Sequence, residues 1–199
     1  MAYPTVSGPY GLKPVNLIGG QVFAGATRQI PIASAYNTNL LNGDLVKVVA
    51  SGTLEKDAGT TTATPVGVFL GCRYTDPNLG YELYSQYFPA NTVASDIVAY
   101  VADDPDQLYK VAVVSGTVVI AGVGRTVVGN NMSLVQNAGS TQSGNSKVAV
   151  LSSSAATTNT LPIRVIDVVT ETASAADTYV ELIVKFNWGM HQYQNATGV

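Results

Sequence analysis

Hydrolysis or group transfer through a nucleophile needs a positioned proton acceptor, and this chain has one histidine, His191. It falls in a stretch whose composition predicts a C-terminal tail, where a base lacks the rigid support that general acid–base chemistry requires. A packing or hydrogen-bonding role suits it better. Cys72 is the single cysteine, which excludes an internal disulfide and a cysteine-built zinc cage. The acidic run Asp103-Asp104-Pro105-Asp106 is the best candidate for holding a hard cation. Calcium loops, however, space their ligands alternately around a glycine turn and close on a glutamate, and this run does neither. It reads as a turn between two strands in which Asp caps free backbone N–H groups. No metal and no cofactor is expected.

Three further patterns are weaker. Gly122-Val123-Gly124-Arg125-Thr126-Val127 begins like a dinucleotide-binding loop, but Val127 stands where the last glycine belongs and no helical pattern follows, so a strand-to-strand loop is expected. Asn195-Ala196-Thr197 matches a glycosylation sequon, which has meaning only in a secreted protein. Tyr81, Tyr84, Tyr87 and Phe88 resemble a sugar-stacking platform, although aromatics in a β-rich chain more often fill a core or an interface. The residues therefore point to a non-enzymatic chain.

Charged residues make up 12% of the 199 residues, against about 25% in an average soluble domain, while the hydrophobic share of 46% is ordinary. A surface of Ser, Thr, Asn and Gly hydrates well yet is easier to desolvate than one carrying many ions, which suits a protein that packs into an assembly. Ten Lys and Arg against thirteen Asp and Glu leave a net charge of −3, without the basic run that neutralises phosphates, so nucleic acid is not an expected partner. The longest charge-free apolar stretch, 111–124, is interrupted by Ser115, Gly116 and Thr117 and falls short of the roughly 20 residues that span a bilayer. Met1-Ala2-Tyr3-Pro4 lacks the basic and apolar regions of a secretory signal, so a cytoplasmic origin is expected.

The elements that would position any site are strands. Residues 1–28 carry Pro4, Pro9 and Pro14 among many glycines and predict an extended N-terminal arm. Its Tyr3, Tyr10, Leu12, Leu17, Ile18 and Phe23 are too apolar for a solvated linker and are expected to dock on a partner. From Gln29 onward short β-branched runs alternate with turn clusters. Strands are expected at 29–33, 44–49, 66–70, 96–101, 108–114, 117–120, 147–151, 161–169 and 179–186. Asn42-Gly43 and Ser51-Gly52 are turn dipeptides, the second folding 44–49 onto 53–56 as a hairpin. In the last strand Val180, Leu182, Val184 and Phe186 share a core face, with Glu181 and Lys185 on the other. Long loops are expected at 57–64 and 139–146. The fold expectation is all-β: a compact barrel or sandwich over 29–186, with a short C-terminal arm, 187–199, anchored by Trp188 and Tyr193.

Gly11-Leu12-Lys13-Pro14-Val15, Asn42-Gly43-Asp44-Leu45-Val46-Lys47, Pro65-Val66-Gly67-Val68-Phe69-Leu70-Gly71 and Val101-Ala102-Asp103-Asp104-Pro105-Asp106 together resemble the structural cement, or head decoration, proteins of tailed bacteriophages of marine bacteria, including cyanobacteria. The similarity continues through Val128-Gly129-Asn130-Asn131, Gly144-Asn145-Ser146-Lys147 and Leu161-Pro162-Ile163-Arg164-Val165. These motifs mark folding positions, and no functional residue is carried over from them. The resemblance implies a virion protein on the outer capsid surface, made in the host cytoplasm, with the major capsid protein and further copies of itself, as dimer or trimer, for partners. A tail or baseplate component and a carbohydrate-binding adhesin are the alternatives.

Overall fold

The turn clusters of the sequence cut the chain into runs too short for anything but strands, and the fold is all-β. A computed structural model describes residues 6–199. In chain order the strands are β1 (Lys13–Leu17), β2 (Arg28–Pro31), β3 (Leu45–Val48), β4 (Leu54–Lys56), β5 (Gly67–Thr75), β6 (Glu82–Ser85), β7 (Val98–Ala102), β8 (Gln107–Val114), β9 (Asn131–Met132), β10 (Leu134–Ser140), β11 (Asn145–Leu151), β12 (Ile163–Val168) and β13 (Glu181–Phe186). Among the described residues no helix is long and apolar enough to cross a membrane.

Two sheets form. The first runs β10-β11-β8-β13-β12-β9, with β1 added alongside β8. Ser133 alone separates β9 from β10 in the chain, so the two ends of this path meet and the sheet curls round its own core. Tyr109, Val111, Val113, Met132, Leu134, Val148, Ile163, Leu182 and Phe186 fill that core. The second sheet runs β2-β7-β5-β3-β4, with β6 paired to the far end of β5. A bridge between Ile32 and Leu54 ties its two ends together, around Ile30, Val46, Leu54, Phe69, Phe88, Ala99 and Val101.

The sheets meet at a seam where neighbouring residues of one strand face different cores. Leu45, Val68 and Ala102 belong to the first apolar cluster, while Val46, Phe69 and Val101 belong to the second. A backbone buried on both sides cannot use water, so its polar groups must find partners inside. Asp44 supplies them. Its fully buried carboxylate accepts from Leu41 N–H at 3.0 Å, Lys56 Nζ at 2.9 Å and Ser146 Oγ at 2.6 Å, joining both sheets at one side chain. Gly11 and Gly43 let the backbones close up there, since a Cβ on Gly11 would lie 2.8 Å from the Gly43 backbone and from the Ser146 side chain.

Several expectations need correction. Residues 117–120 form no strand, because Gly116, at φ +123°, turns the chain back on itself and Ser115 N–H bonds the Val119 carbonyl. The loop expected over 139–146 is a tight hairpin turn between β10 and β11. Within the described part of the N-terminal segment, 6–28, β1 pairs with β8 and Leu12 is fully buried in the first core, so this stretch packs on the folded body. The expected barrel or sandwich takes the form of two curled sheets that meet at a common seam. Glu181 does point away from the core as alternation requires, yet it is only 2% exposed because Tyr10 covers it.

Removing one partner of a buried ion pair leaves the other charge uncompensated. Asp44→Ala should therefore cost about 3–5 kcal/mol, with Lys56 and Ser146 left unpaired. Chemical unfolding of the variant measures it, and a loss below about 1 kcal/mol, the level of an exposed pair, would show that the seam does not depend on this carboxylate.

Candidate functional site

The segments singled out by the sequence are the two termini, and the fold uses most of their apolar residues internally. Tyr3 lies outside the described residues. Tyr10 lies over β13, where its phenol donates to Glu181 Oε1. Burial first, then the hydrogen bond to Glu181 and its charge, hold that phenol protonated far above its ordinary range. Lys13 and Lys110 place their ammonium groups 4.9 and 5.7 Å from the Tyr10 ring centre, and Lys110 Nζ is 3.4 Å from Glu181 Oε1. Leu12 is core, Leu17 pairs opposite Gln107, and Phe23 packs half-buried against the first cluster.

The C-terminal segment is fixed at its root by Asn187, whose side-chain amide donates to the carbonyls of Asn159 at 2.8 Å and Leu161 at 3.0 Å. From there it crosses to the second sheet. Gln192 engages Val48 of β3, beyond the residues that β5 pairs, with both ends of its amide, donating to Val48 O at 2.7 Å and accepting from Val48 N–H at 2.9 Å. Tyr193 donates to Asp103 Oδ2 at 2.9 Å, which also pairs with Arg28 Nε at 2.7 Å. Burial and the Asp103 contact push the Tyr193 phenol up to about 12. The tail is a strap across both sheets.

The acidic run behaves as a turn: Asp104 Oδ1 accepts from Asp106 N–H at 2.8 Å between β7 and β8. Cys72 is buried, with its thiol pushed up to about 12 by burial.

Of the large apolar residues that the terminal segments leave exposed, which include Val15, Tyr193 and Val199, three stand close together: Ile18 at 49%, Val22 at 78% and Trp188 at 78%. They project from the same end of the first sheet. Strands β1 and β13 both run antiparallel to β8, with Leu17 opposite Gln107 and Val184 opposite Tyr109, so both strands finish where β8 begins. Asp106 ties the two exits together: its carbonyl accepts from Ile18 N–H at 3.0 Å, and its carboxylate pairs with Lys185 Nζ at 2.9 Å. This end therefore presents three large apolar side chains beside a neutralised charge pair. Val22 was missed by the sequence reading; the signal was Gly19-Gly20, which makes the tight turn that throws it outward.

His191 lies at the heart of the strap, fully buried between the rings of Phe186 and Tyr193, with Nδ1 accepting from Tyr193 N–H at 3.2 Å. Nε2 is buried without a hydrogen bond of good geometry, although the backbone of Asp103 and Val66 is close enough to favour a proton there. Burial wins over that backbone and over the Asp103 and Asp104 charges, and pulls the imidazole below its ordinary value. A detached tail thus binds a proton as pH falls through about 6.5, whereas the docked tail resists it. Docking is at full strength above that pH and weakens below it. Hydrogen exchange of 187–195 should accelerate between pH 7.5 and pH 5.5 relative to the core strands, and His191→Gln should flatten the response; equal protection at both pH values after correction for intrinsic exchange would contradict this.

No family model, no curated protein and no solved structure matches the chain, so a functional reading rests on its own residues and their geometry.

Proposed function

We propose that this chain is a virion structural protein, a capsid decoration subunit that binds the outer surface of a tailed-phage head and bridges neighbouring major capsid proteins. The observation that carries the proposal is where the resembling motifs meet. Gly11-Leu12, Asn42-Gly43-Asp44-Leu45, Val68-Phe69, Val101-Ala102 and Ser146 are far apart in sequence and converge on the seam, through the Gly11–Gly43 approach, the Asp44 carboxylate and the shared apolar strands. They are the residues a two-sheet fold of this kind needs, which supports a resemblance of architecture and, with it, of role.

The apolar end supports the same reading. Ile18, Val22 and Trp188 lie in the turns just beyond β1 and β13, held by the Ile18–Asp106 hydrogen bond and the Asn16–Val22 bridge, so less ordering entropy remains to be lost when they dock. Tryptophan is the side chain most often found at the energetic centre of an interface. Few charges surround them, so apolar contact rather than ion pairing would dominate attachment.

The test is the particle itself. Cryo-electron microscopy should find the subunit in hundreds of lattice positions; a few copies at the tail would establish a tail component instead. Val22→Ser combined with Trp188→Ala should leave the melting temperature within a few degrees, because both side chains are exposed, yet lower capsid occupancy by tenfold or more, corresponding to at least about 1.4 kcal/mol of binding. Unchanged occupancy would move the docking surface elsewhere.

A further inference from the structure

Independent of the docking end, the second sheet carries an outward surface that the fold does not use. Cys72 and Tyr74 of β5, and Ala99 and Val101 of β7, face the second core, so by alternation Gly71 and Arg73, Tyr100, and Glu82 and Tyr84 of β6 face out. Tyr100 is the cross-strand partner of Gly71, and Tyr84 that of Arg73. The two tyrosines therefore rise on opposite sides of β5, offset by two residues along it, and Gly71 beside Tyr100 leaves open space on the strand. The depression is about 540 Å³, with Asn42 and Gln86 at its margin. It is shallow and open, shaped to take one face of a ligand.

We propose that this depression binds a neutral pyranose sugar, as one unit of a glycan. A pyranose offers an apolar C–H face and a rim of hydroxyls. It is bound by an exposed aromatic face together with planar polar groups that take the rim, all set on rigid strands. Tyr84 is 66% exposed, although a tyrosine on a paired strand has ample apolar surface to bury. The amides of Asn42 and Gln86 are held in place, donating to Leu70 O at 2.7 Å and to Asn145 Oδ1 at 2.8 Å. Their carbonyl oxygens make no bond among the described residues and are free to accept from hydroxyls.

Charge selects the class of sugar. Arg73 Nη1 lies 2.6 Å from Glu82 Oε1, and the other oxygen of Glu82 takes the Tyr84 hydroxyl at 3.4 Å. Arg73, the cation on this face, is already matched by a carboxylate, so an acidic sugar meets a neutralised counter-charge there while a neutral one is met by oriented donors and acceptors. Tyr81, Tyr87 and Phe88 are not part of the depression, and Phe88 is core.

The probes are maltotriose, cellotriose, mannotriose and a galactose trisaccharide, with a sialylated trisaccharide as the acidic comparison, titrated into the full chain while aromatic NMR signals are followed. At least one neutral trisaccharide should bind with millimolar affinity and shift the Tyr84 and Tyr100 signals. Tyr84→Ala and Tyr100→Ala should each weaken it by about tenfold or more, Tyr81→Ala should leave it unchanged, and all three should melt near the parent. No shift of Tyr84 or Tyr100 with any neutral sugar at tens of millimolar overturns the proposal, as does preferential binding of the acidic sugar or binding that survives both substitutions. The wild-type titration decides the matter even if a variant fails to fold.

Discussion

The structure depends on one constraint: strands β3, β5 and β7 carry apolar side chains on both faces where the two sheets meet, so the backbone at that seam has no water to bond. Every polar group there must be answered by the protein. The Asp44 carboxylate does this from the centre, binding a backbone N–H beside it, a lysine of β4 and a serine of β11. Gly43 contributes its carbonyl to Leu12 N–H at 3.0 Å and its N–H to Phe69 O at 2.8 Å, so the N-terminal strand is fastened to the same point. A side chain at Gly11 or Gly43 would force these backbones apart, and each bond made across them would lengthen.

From that seam the use of the termini follows. A curled sheet still has edges that invite pairing with another chain, and short strands and covering segments are the usual means of blunting them. Here β1 pairs the stretch of β8 that β11 leaves open, the Gln192 amide answers Val48 of β3 past the end of the β5 pairing, and the Gln136 amide donates to the carbonyls of Asp57 and Gly59 beside β10. Apolar residues that look like a docking arm in one dimension are therefore needed for closure in three. Among the exceptions, Ile18, Val22 and Trp188 gather where β1 and β13 run off the end of the sheet, and it is that gathering which gives them weight.

The low charge of the chain acquires a structural meaning in the same way. Of six ion pairs among the described residues, those of Asp44 and Glu181 have a carboxylate that is almost wholly buried. The others lie at the surface, where solvent screening leaves each worth little. Cohesion rests on the two apolar clusters and on amide and hydroxyl hydrogen bonding, which fits a molecule whose remaining surface can be desolvated against a neighbour at modest cost.

The all-β class, most strand positions, the β3–β4 hairpin and the turn at Asp103 to Asp106 were legible in the sequence, because each depends on local alternation and turn chemistry. Four strands were not. In β1 a proline and flanking glycines mask the pairing; β6 is largely exposed; β9 has two residues; and in β10 the partly buried Gln136 caps a loop, breaking the apolar alternation. Nor could one dimension reveal that Glu181 and His191 are buried, since the residues covering them, Tyr10 in one case and Phe186 and Tyr193 in the other, depend on how the terminal segments cross the sheets. Composition singled out the two terminal segments as the candidate interface. Which side chains in them face solvent was decided by register against β8, and the placing of Tyr84 and Tyr100 on either side of β5 by strand order, two quantities that long-range pairing sets and local pattern does not contain.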